Sequence, residues 1–220
     1  MGHQREKLIS LAKRLLNHNL NGSTDQADQI MIKKVNDYID DDIISSEVSK
    51  IFYDHPVPIA LSAELKKKNS YKATKAIDTP LLITRDEDGV VRTFINICKH
   101  RGAPVCPEGR GEKSKFNCTY HGWMYDNKGS LINIFKSDTF GDIDTKNIKL
   151  TELFCEEKSG FIWACLNPDV KYNLSDWMNE FETELDDIGL KNWYIFKSTT
   201  LNGPRWKICC FWIGYKWARG

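Results

Sequence analysis

The first part of the chain carries apolar residues at the spacing of an amphipathic helix. These residues are Leu8, Leu11, Ala12, Leu15 and Leu16. They recur every three or four positions, so they share one helix face, and Gly22 can end that helix. The pattern predicts a helical segment over residues 1–54.

A second, shorter helix is predicted inside this segment, over Glu47–Tyr53. Ser45 or Ser46 is available as its amino-terminal cap, and Pro56 lies beyond its end. The acidic run at residues 40–42 is interpreted as solvated surface.

From about residue 57 the pattern changes to short segments rich in β-branched and aromatic residues. Segments with turn composition separate them at residues 86–89, 126–129 and 156–160. Short alternating segments joined by such turns are typical of β-hairpins. We therefore expect a small antiparallel β-domain over about residues 57–167, in which the strand over residues 90–97 delivers Cys98 into a loop.

Composition and charge exclude several classes of function. The chain has 220 residues, a formal net charge of +1 and seven cysteines. This charge gives no electrostatic case for nucleic acid or an anionic membrane. No apolar run approaches the roughly 20 residues of a membrane-spanning helix, and a secretory signal is not recognisable. Because an odd cysteine count argues against a complete disulfide framework, a cytoplasmic protein is expected.

Two short motifs carry the chemistry. Cys98 and His100 are separated by one residue, and Cys118 and His121 by two. Two cysteines and two histidines form the ligand set of a Rieske 2Fe-2S cluster, in which one iron binds two thiolates and the other two imidazoles. Imidazole ligands raise the reduction potential, so the motif predicts a redox site with its imidazole-bound iron facing outward.

Structural zinc is the alternative metal, because two cysteines and two histidines also bind zinc. Zinc modules usually place both cysteines in one arm and both histidines in another, whereas each arm here is mixed. Four unrelated residues are the remaining alternative.

The residues around the ligands resemble one family closely. Residues 98–106 and 118–126 resemble the cluster loops of Rieske non-heme iron oxygenases, the large subunits of aromatic-ring-hydroxylating dioxygenases and their demethylating relatives. Rieske proteins of quinol-oxidising complexes add one cysteine to each loop, and these two form a disulfide. Ala103 and Tyr120 stand at those positions here, so the resemblance favours the oxygenases.

The resemblance also implies residues that surround the cluster. They are Arg101, Gly102, Tyr120, Gly122 and Trp123. Both glycines can let backbone amides approach the cluster sulfurs, although Gly102 is equally explained as a turn glycine. The Tyr120 hydroxyl could reach a cysteine sulfur. Cys106 resembles a family cysteine that is not a ligand, and Cys155, Cys165, Cys209 and Cys210 are expected to be small buried hydrophobic residues.

The resemblance implies three parts of the chain and a mainly β fold. They are a helical segment over residues 1–54, a Rieske domain over residues 55–167, and a short α+β fragment of a catalytic domain over residues 168–220. Family members also hold a mononuclear iron by two histidines and a carboxylate. No histidine follows His121, so the ligands of that iron are expected to be missing, as in a truncated or frame-disrupted subunit. The run over residues 208–213 would be a strand of that domain.

The implied function is the electron-transfer half of an oxygenase of aromatic compound catabolism. A reductase or ferredoxin would pass electrons from a reduced nicotinamide to the cluster, and family members form homotrimers, sometimes with a β subunit. No catalytic residue is expected in this chain. Two alternatives stay open: a stand-alone Rieske-type ferredoxin, and a zinc-stabilised interaction module.

Overall fold

The computed structural model describes the backbone of residues 2–199 and the side chains of residues 5–199. The described residues divide into two compact units, of which the first ends at residue 39 and the second begins at residue 40. Every described strand lies in the second unit, and the strands are short and antiparallel. The predicted mainly β fold with a helical amino-terminal segment is therefore confirmed.

The first unit consists of helices α1 (Gly2–Asn21) and α2 (Asn36–Ile39). Gly22 follows α1 with φ of +59°, a left-handed conformation that glycine adopts readily, so the predicted end of this helix is confirmed. The apolar face of α1 lies open, with Leu8 65% and Leu15 64% exposed. Within the described residues, this unit therefore has no apolar core of its own.

The second unit begins with a helix whose start differs from the prediction. Helix α3 spans Asp41–Glu47 and continues as a π-helix over Val48–Tyr53. The side chain of Asp40 caps it by accepting hydrogen bonds from the amides of Asp42 and Ile43, at 3.0 and 3.1 Å. The predicted caps at Ser45 or Ser46 were wrong, because an aspartate earlier in the chain satisfies the free amides of the first turn.

Eleven strands of the described chain form three sheets. They are β1 (Val57–Leu61), β2 (Ser70–Ala76), β3 (Thr79–Arg85), β4 (Val91–Ile95), β5 (Gly109–Glu112), β6 (Lys115–Asn117), β7 (Met124–Asp126), β8 (Leu131–Asn133), β9 (Glu152–Leu153), β10 (Cys155–Lys158) and β11 (Phe161–Ala164). The strand orders are β1-β11-β10, β5-β2-β3-β4-β9 and β6-β7-β8. The predicted hairpins β3–β4, β7–β8 and β10–β11 are all present.

Strand β3 separates two apolar cores, because successive side chains of a strand point to opposite faces. Leu82 lies in a core with Phe94 and Tyr125, which also contains the cysteines of both motifs. Leu81 and Ile83 belong to a second core, built with strands β1 and β11. The five-stranded sheet therefore serves as the wall that separates the motif region from the rest of the unit.

After β11 the described chain forms helices α4 (Leu174–Met178) and α5 (Glu180–Ile188). Leu174, Met178 and Leu185 make a small third core with Trp163 of β11. Cys209, Cys210 and the predicted strand over residues 208–213 lie outside the described residues. The predicted domain boundaries at residues 54/55 and 167/168 stay predictions. Over the described residues, no helix combines the length and apolarity needed to cross a membrane.

Candidate metal centre

The two motif loops each form a backbone turn with the same pattern of hydrogen bonds. In the first loop, the amide of Cys98 donates to the carbonyl of Ala103 at 2.8 Å, and the amide of Gly102 donates to the carbonyl of Cys98 at 3.0 Å. In the second loop, Cys118 donates to Trp123 at 2.9 Å, and Gly122 donates to Cys118 at 3.0 Å. In both loops, therefore, the cysteine begins a turn that closes on a glycine four residues later.

Both turns need their glycines in the left-handed region. Gly102 has φ of +77° and Gly122 has φ of +68°, which residues with a Cβ adopt only with strain. A Cβ on Gly122 would also lie 2.9 Å from the Cβ of Phe135, whereas a Cβ on Gly102 would meet nothing within 4 Å. The two glycines are therefore turn residues, and Gly122 also allows close packing.

The turns bring the four predicted ligand side chains to one end of the β-domain. Cys98 and Cys118 are 2% and 4% exposed, and their thiol groups lie close enough to interact. The rings of His100 and His121 meet edge to face, with their centroids 4.6 Å apart. The arrangement has an inner pair of thiols and an outer pair of imidazoles.

His100 is held in place by aromatic rings. The ring of Trp123 stacks on it with a centroid distance of 4.9 Å and an interplanar angle of 9°, and Phe140 packs edge-on at 5.3 Å. Its Nδ1 atom is buried and has no hydrogen-bond partner among the described residues. A buried, unpaired ring nitrogen is costly unless a metal or another partner takes its lone pair.

Burial at this site favours the neutral forms of both ligand types, imidazole for His100 and thiol for Cys98. Desolvation by burial lowers the pKa of His100 from its ordinary value, with smaller contributions from His121 and Arg101. A neutral imidazole is the form that binds metal. Burial raises the pKa of the Cys98 thiol above its ordinary value, so this group needs a cation nearby to hold it as thiolate.

Tyr125 is a site residue that the sequence interpretation missed. Its hydroxyl lies 3.4 Å from Cys98 Sγ and accepts a hydrogen bond from the amide of Lys99 at 3.1 Å. Burial raises the pKa of this fully buried tyrosine, so its proton is retained and can be donated to the sulfur. The signal was the alternation at β7: Trp123, just before the strand, and Tyr125 are two residues apart, so they face the same side and are both buried.

Tyr120 occupies a different place. Its side chain is 61% exposed and its ring lies against His121, with centroids 3.9 Å apart. It is Tyr125, rather than Tyr120, whose hydroxyl reaches a cysteine sulfur. Arg101 is exposed beside His100.

None of the other described cysteines is followed by a histidine two or three residues later, as Cys98 and Cys118 are. Cys106 is 3% exposed in the same core as Cys98, and burial raises the pKa of its thiol. Cys165 is fully buried and contacts the carbonyl groups of Tyr53 and Asp54. Cys155 is partly buried and accepts a hydrogen bond from Thr93.

The four side chains fit a cluster in which one iron takes the two cysteines and the other takes the two histidines. A zinc ion needs four ligands around one point, whereas a Rieske cluster places two thiolates on one iron and two imidazoles on the other. The paired thiols, the paired imidazoles and the unpaired Nδ1 atom fit the cluster.

Comparisons with known proteins agree with this site. Residues 55–147 match the Rieske [2Fe-2S] domain family. The chain is 37% identical to the large subunit of anthranilate 1,2-dioxygenase from Burkholderia cepacia, over 51% of this chain and 28% of the relative. It is 32% identical to the hydroxylase α subunit of methanesulfonate monooxygenase from Methylosulfonomonas methylovora, over 65% of this chain and 37% of the relative.

Solved structures show the same relationship. The chain matches the apo form of the quaternary ammonium Rieske monooxygenase CntA with a TM-score of 0.63 and 28% identity, over 69% of this chain and 44% of the other. It matches naphthalene 1,2-dioxygenase from Rhodococcus sp. with a TM-score of 0.63 and 29% identity, over 68% and 34%.

These matches define the class of protein. The β-domain is a Rieske [2Fe-2S] domain, as its loops indicated. Over this domain and the residues around it, the chain is similar to the large subunits of Rieske oxygenases. It spans about a third of the length of the curated relatives that it matches.

Proposed function

We propose that Cys98, His100, Cys118 and His121 hold a Rieske 2Fe-2S cluster, with the cysteines on one iron and the histidines on the other. The observation that carries this proposal is the repeated turn, which brings two thiols and two imidazoles to one end of the domain. When bound, the cluster supplies a centre that accepts and releases one electron at a time.

The residues around the ligands shape how that electron moves. The inner thiols are enclosed by the core that contains Leu82 and Phe94, so water is kept from this side. Trp123 and Phe140 fix the His100 ring and leave the imidazole pair at the domain tip. A redox partner therefore approaches the histidines.

We propose further that this chain serves as the electron-transfer part of a Rieske oxygenase. A reductase or ferredoxin delivers electrons derived from a reduced nicotinamide, and a mononuclear iron site receives them to activate dioxygen. The relatives are named for dioxygenation, monooxygenation and N-demethylation, which supports an oxygenase and leaves the substrate open. A homotrimeric assembly, as in family members, belongs to this proposal.

The cluster is tested by loading the protein with iron and sulfide under reducing conditions. The expected result is two irons and two sulfides per chain, visible absorption, and a paramagnetic signal in the reduced state. Cys118→Ser should abolish all three, whereas Cys165→Ser, which changes a buried cysteine outside the motif, should abolish none. Zinc binding without absorption or paramagnetism would instead support the interaction module.

Electron transfer is tested separately from turnover. With a competent reductase, the loaded polypeptide of residues 1–220 should be reduced by one electron and should not consume dioxygen in a substrate-dependent way, because residues 122–220 contain no histidine to help hold a second iron. Hydroxylated product formed by this chain alone would contradict the proposal. If the reduced chain restored the activity of a separate oxygenase component, this result would favour the ferredoxin alternative.

A further inference from the structure

The carboxamide of Asn96 joins the two ends of the first cluster loop. Its Oδ1 atom accepts hydrogen bonds from the amides of Val105 and Cys106, at 3.1 and 3.0 Å. Its Nδ2 atom donates to the carbonyl of Cys106 at 2.6 Å. Asn96 is 3% exposed, and Val105 and Cys106 are equally buried, so water does not compete for these bonds.

These bonds replace a strand pair that the first loop lacks. The second loop is closed at its base by β6 and β7, which pair with each other at Asn117 and Met124. The first loop leaves β4, but the next strand, β5, pairs with β2 rather than with β4. The backbone bond from Cys98 to Ala103 closes the turn inside this loop, and the Asn96 carboxamide supplies the side-chain closure at its base, where the second loop has a strand pair.

The loop between these ends contains two of the four proposed ligands. Residues 97–104 separate Asn96 from Val105, and both Cys98 and His100 lie among them. Closing a loop at its base removes conformational freedom from every residue inside it. A closed loop therefore presents its ligands without paying that entropy when the cluster binds.

We propose that Asn96 is a positioning residue of the cluster site, which closes the first loop before any cluster is present. The inference rests on the proposed cluster and adds a residue that contacts no ligand atom directly. Its carboxamide sets the separation of the loop ends, and through it the places of the Cys98 thiol and the His100 ring. Cluster retention depends on this side chain more than on the buried carboxamide of Asn127, which lies outside the first loop.

The closing experiment compares Asn96→Ala and Asn96→Asp with a control at another buried carboxamide, Asn127→Ala. Asn127 is also buried, at 2% exposure, and its Nδ2 donates to Asn69 at 2.7 Å, but it lies in the β7–β8 turn. Amide exchange is measured in the cluster-free chain, and cluster loss is measured in the loaded chain under a chelator. The first readout does not require the cluster.

Asn96→Ala removes three buried hydrogen bonds. Exchange of the Val105 and Cys106 amides should become about tenfold faster, since each amide loses one bond, and cluster loss should accelerate by at least about tenfold. Asn96→Asp keeps the acceptor for both amides but sets a carboxylate oxygen against the Cys106 carbonyl, so exchange should stay slow while cluster loss accelerates. Asn127→Ala should change neither rate. This pattern would separate positioning from general stability.

Three results would overturn the proposal. They are unchanged amide exchange in Asn96→Ala, equal acceleration of cluster loss in Asn127→Ala, and wild-type cluster retention in Asn96→Asp. The last result decides the matter if Asn96→Ala does not fold. A wild-type chain that binds no cluster would refute the proposed function, while the exchange of the two amides would still show whether Asn96 closes the loop.

Discussion

Two tyrosines lie beside the proposed ligands, and they contact different ends of the site. The Tyr125 hydroxyl meets Cys98 Sγ inside the core, whereas the exposed ring of Tyr120 lies on His121. A hydrogen bond to a ligand sulfur stabilises the extra negative charge of the reduced cluster and raises its potential. Tyr125 is therefore expected to tune the potential.

Removing that hydroxyl should lower the reduction potential. For Tyr125→Phe we expect a decrease of about 40–60 mV, which corresponds to roughly one hydrogen bond for a one-electron couple. A potentiometric titration followed by paramagnetic resonance measures it. Tyr120→Phe is the control and should shift the potential much less; a larger shift in the control would contradict the assignment.

The two turn glycines should respond differently to the same substitution. Gly102→Ala introduces backbone strain alone, which costs about 1–2 kcal/mol for a left-handed residue. Gly122→Ala adds the approach to Phe135 Cβ at 2.9 Å, so it should be more destabilising and should impair cluster binding further. Chemical denaturation of both cluster-free variants gives the comparison. Equal losses would show that Phe135 moves aside without cost.

At this scale, the sequence predicts ligands better than it predicts their supports. Cys98 and His100 are apparent from spacing, because metal chemistry restricts both residue type and separation. Asn96 and Tyr125 are residue types without special metal chemistry, and their roles depend on contacts across the fold. Asn96 bonds to Cys106, 10 positions later in the chain, and Tyr125 contacts Cys98, 27 positions earlier. Such contacts follow from the tertiary fold, which local patterns do not specify.

Among the elements, the β10–β11 turn packs against a short 3-10 helix at Leu190–Asn192, which follows α5. Gly160 has φ of +83°, and a Cβ there would lie 2.5 Å from Leu190 Cβ and 2.7 Å from the amide nitrogen of Lys191. Because a backbone atom is involved, the clash cannot be relieved by rotating a side chain. The turn and the segment after α5 are therefore in direct contact.

Gly160→Ala should displace that segment. We expect a loss of unfolding free energy of about 2 kcal/mol or more, from overpacking together with left-handed strain. Denaturant unfolding measures the loss, and Trp193, which lies two residues beyond Lys191, provides a fluorescence signal for local displacement. Gly89→Ala, in the β3–β4 turn at φ of +86° with open space around it, is the control for strain alone.

The elements also show why β-hairpins were predicted more accurately than helix starts. The turn at residues 86–89 combines a strong turn sequence with flanking β-type residues, and Asp86 accepts bonds from Asp88 and Val90 as such turns require. The run Asp40–Asp42 looks like solvated charge, yet its first residue caps α3. A cap and an exposed charge have the same composition, and only the backbone conformation distinguishes them.

For the molecule as a whole, the desolvated thiol of Cys155 makes the fold sensitive to alkali. Burial raises the pKa of Cys155 from 9.0 to about 11. The unfolded thiol begins to ionise near its ordinary pKa while the folded one stays protonated, so this stabilisation is complete below pH 9 and is lost as pH rises towards 11.

Cys155→Ala should flatten that decline. Unfolding free energies measured between pH 9 and 11 should fall less steeply in the variant, by up to about 1.4 kcal/mol per pH unit, the value for one proton. The slopes decide the question, since the substitution also changes packing equally at every pH. Identical slopes in both proteins would show that Cys155 does not titrate differently in the two states.

The unequal exposure of the site has a consequence for electron tunnelling. Tunnelling rates fall steeply with the distance between donor and acceptor. A molecule that collides with the five-stranded sheet is kept from the proposed cluster by the sheet and by the core that contains Leu82 and Phe94. A molecule that meets the imidazole edges comes close to the proposed cluster. Such a protein can discriminate among redox partners by geometry alone, because a wrong collision leaves the electron too far away to transfer.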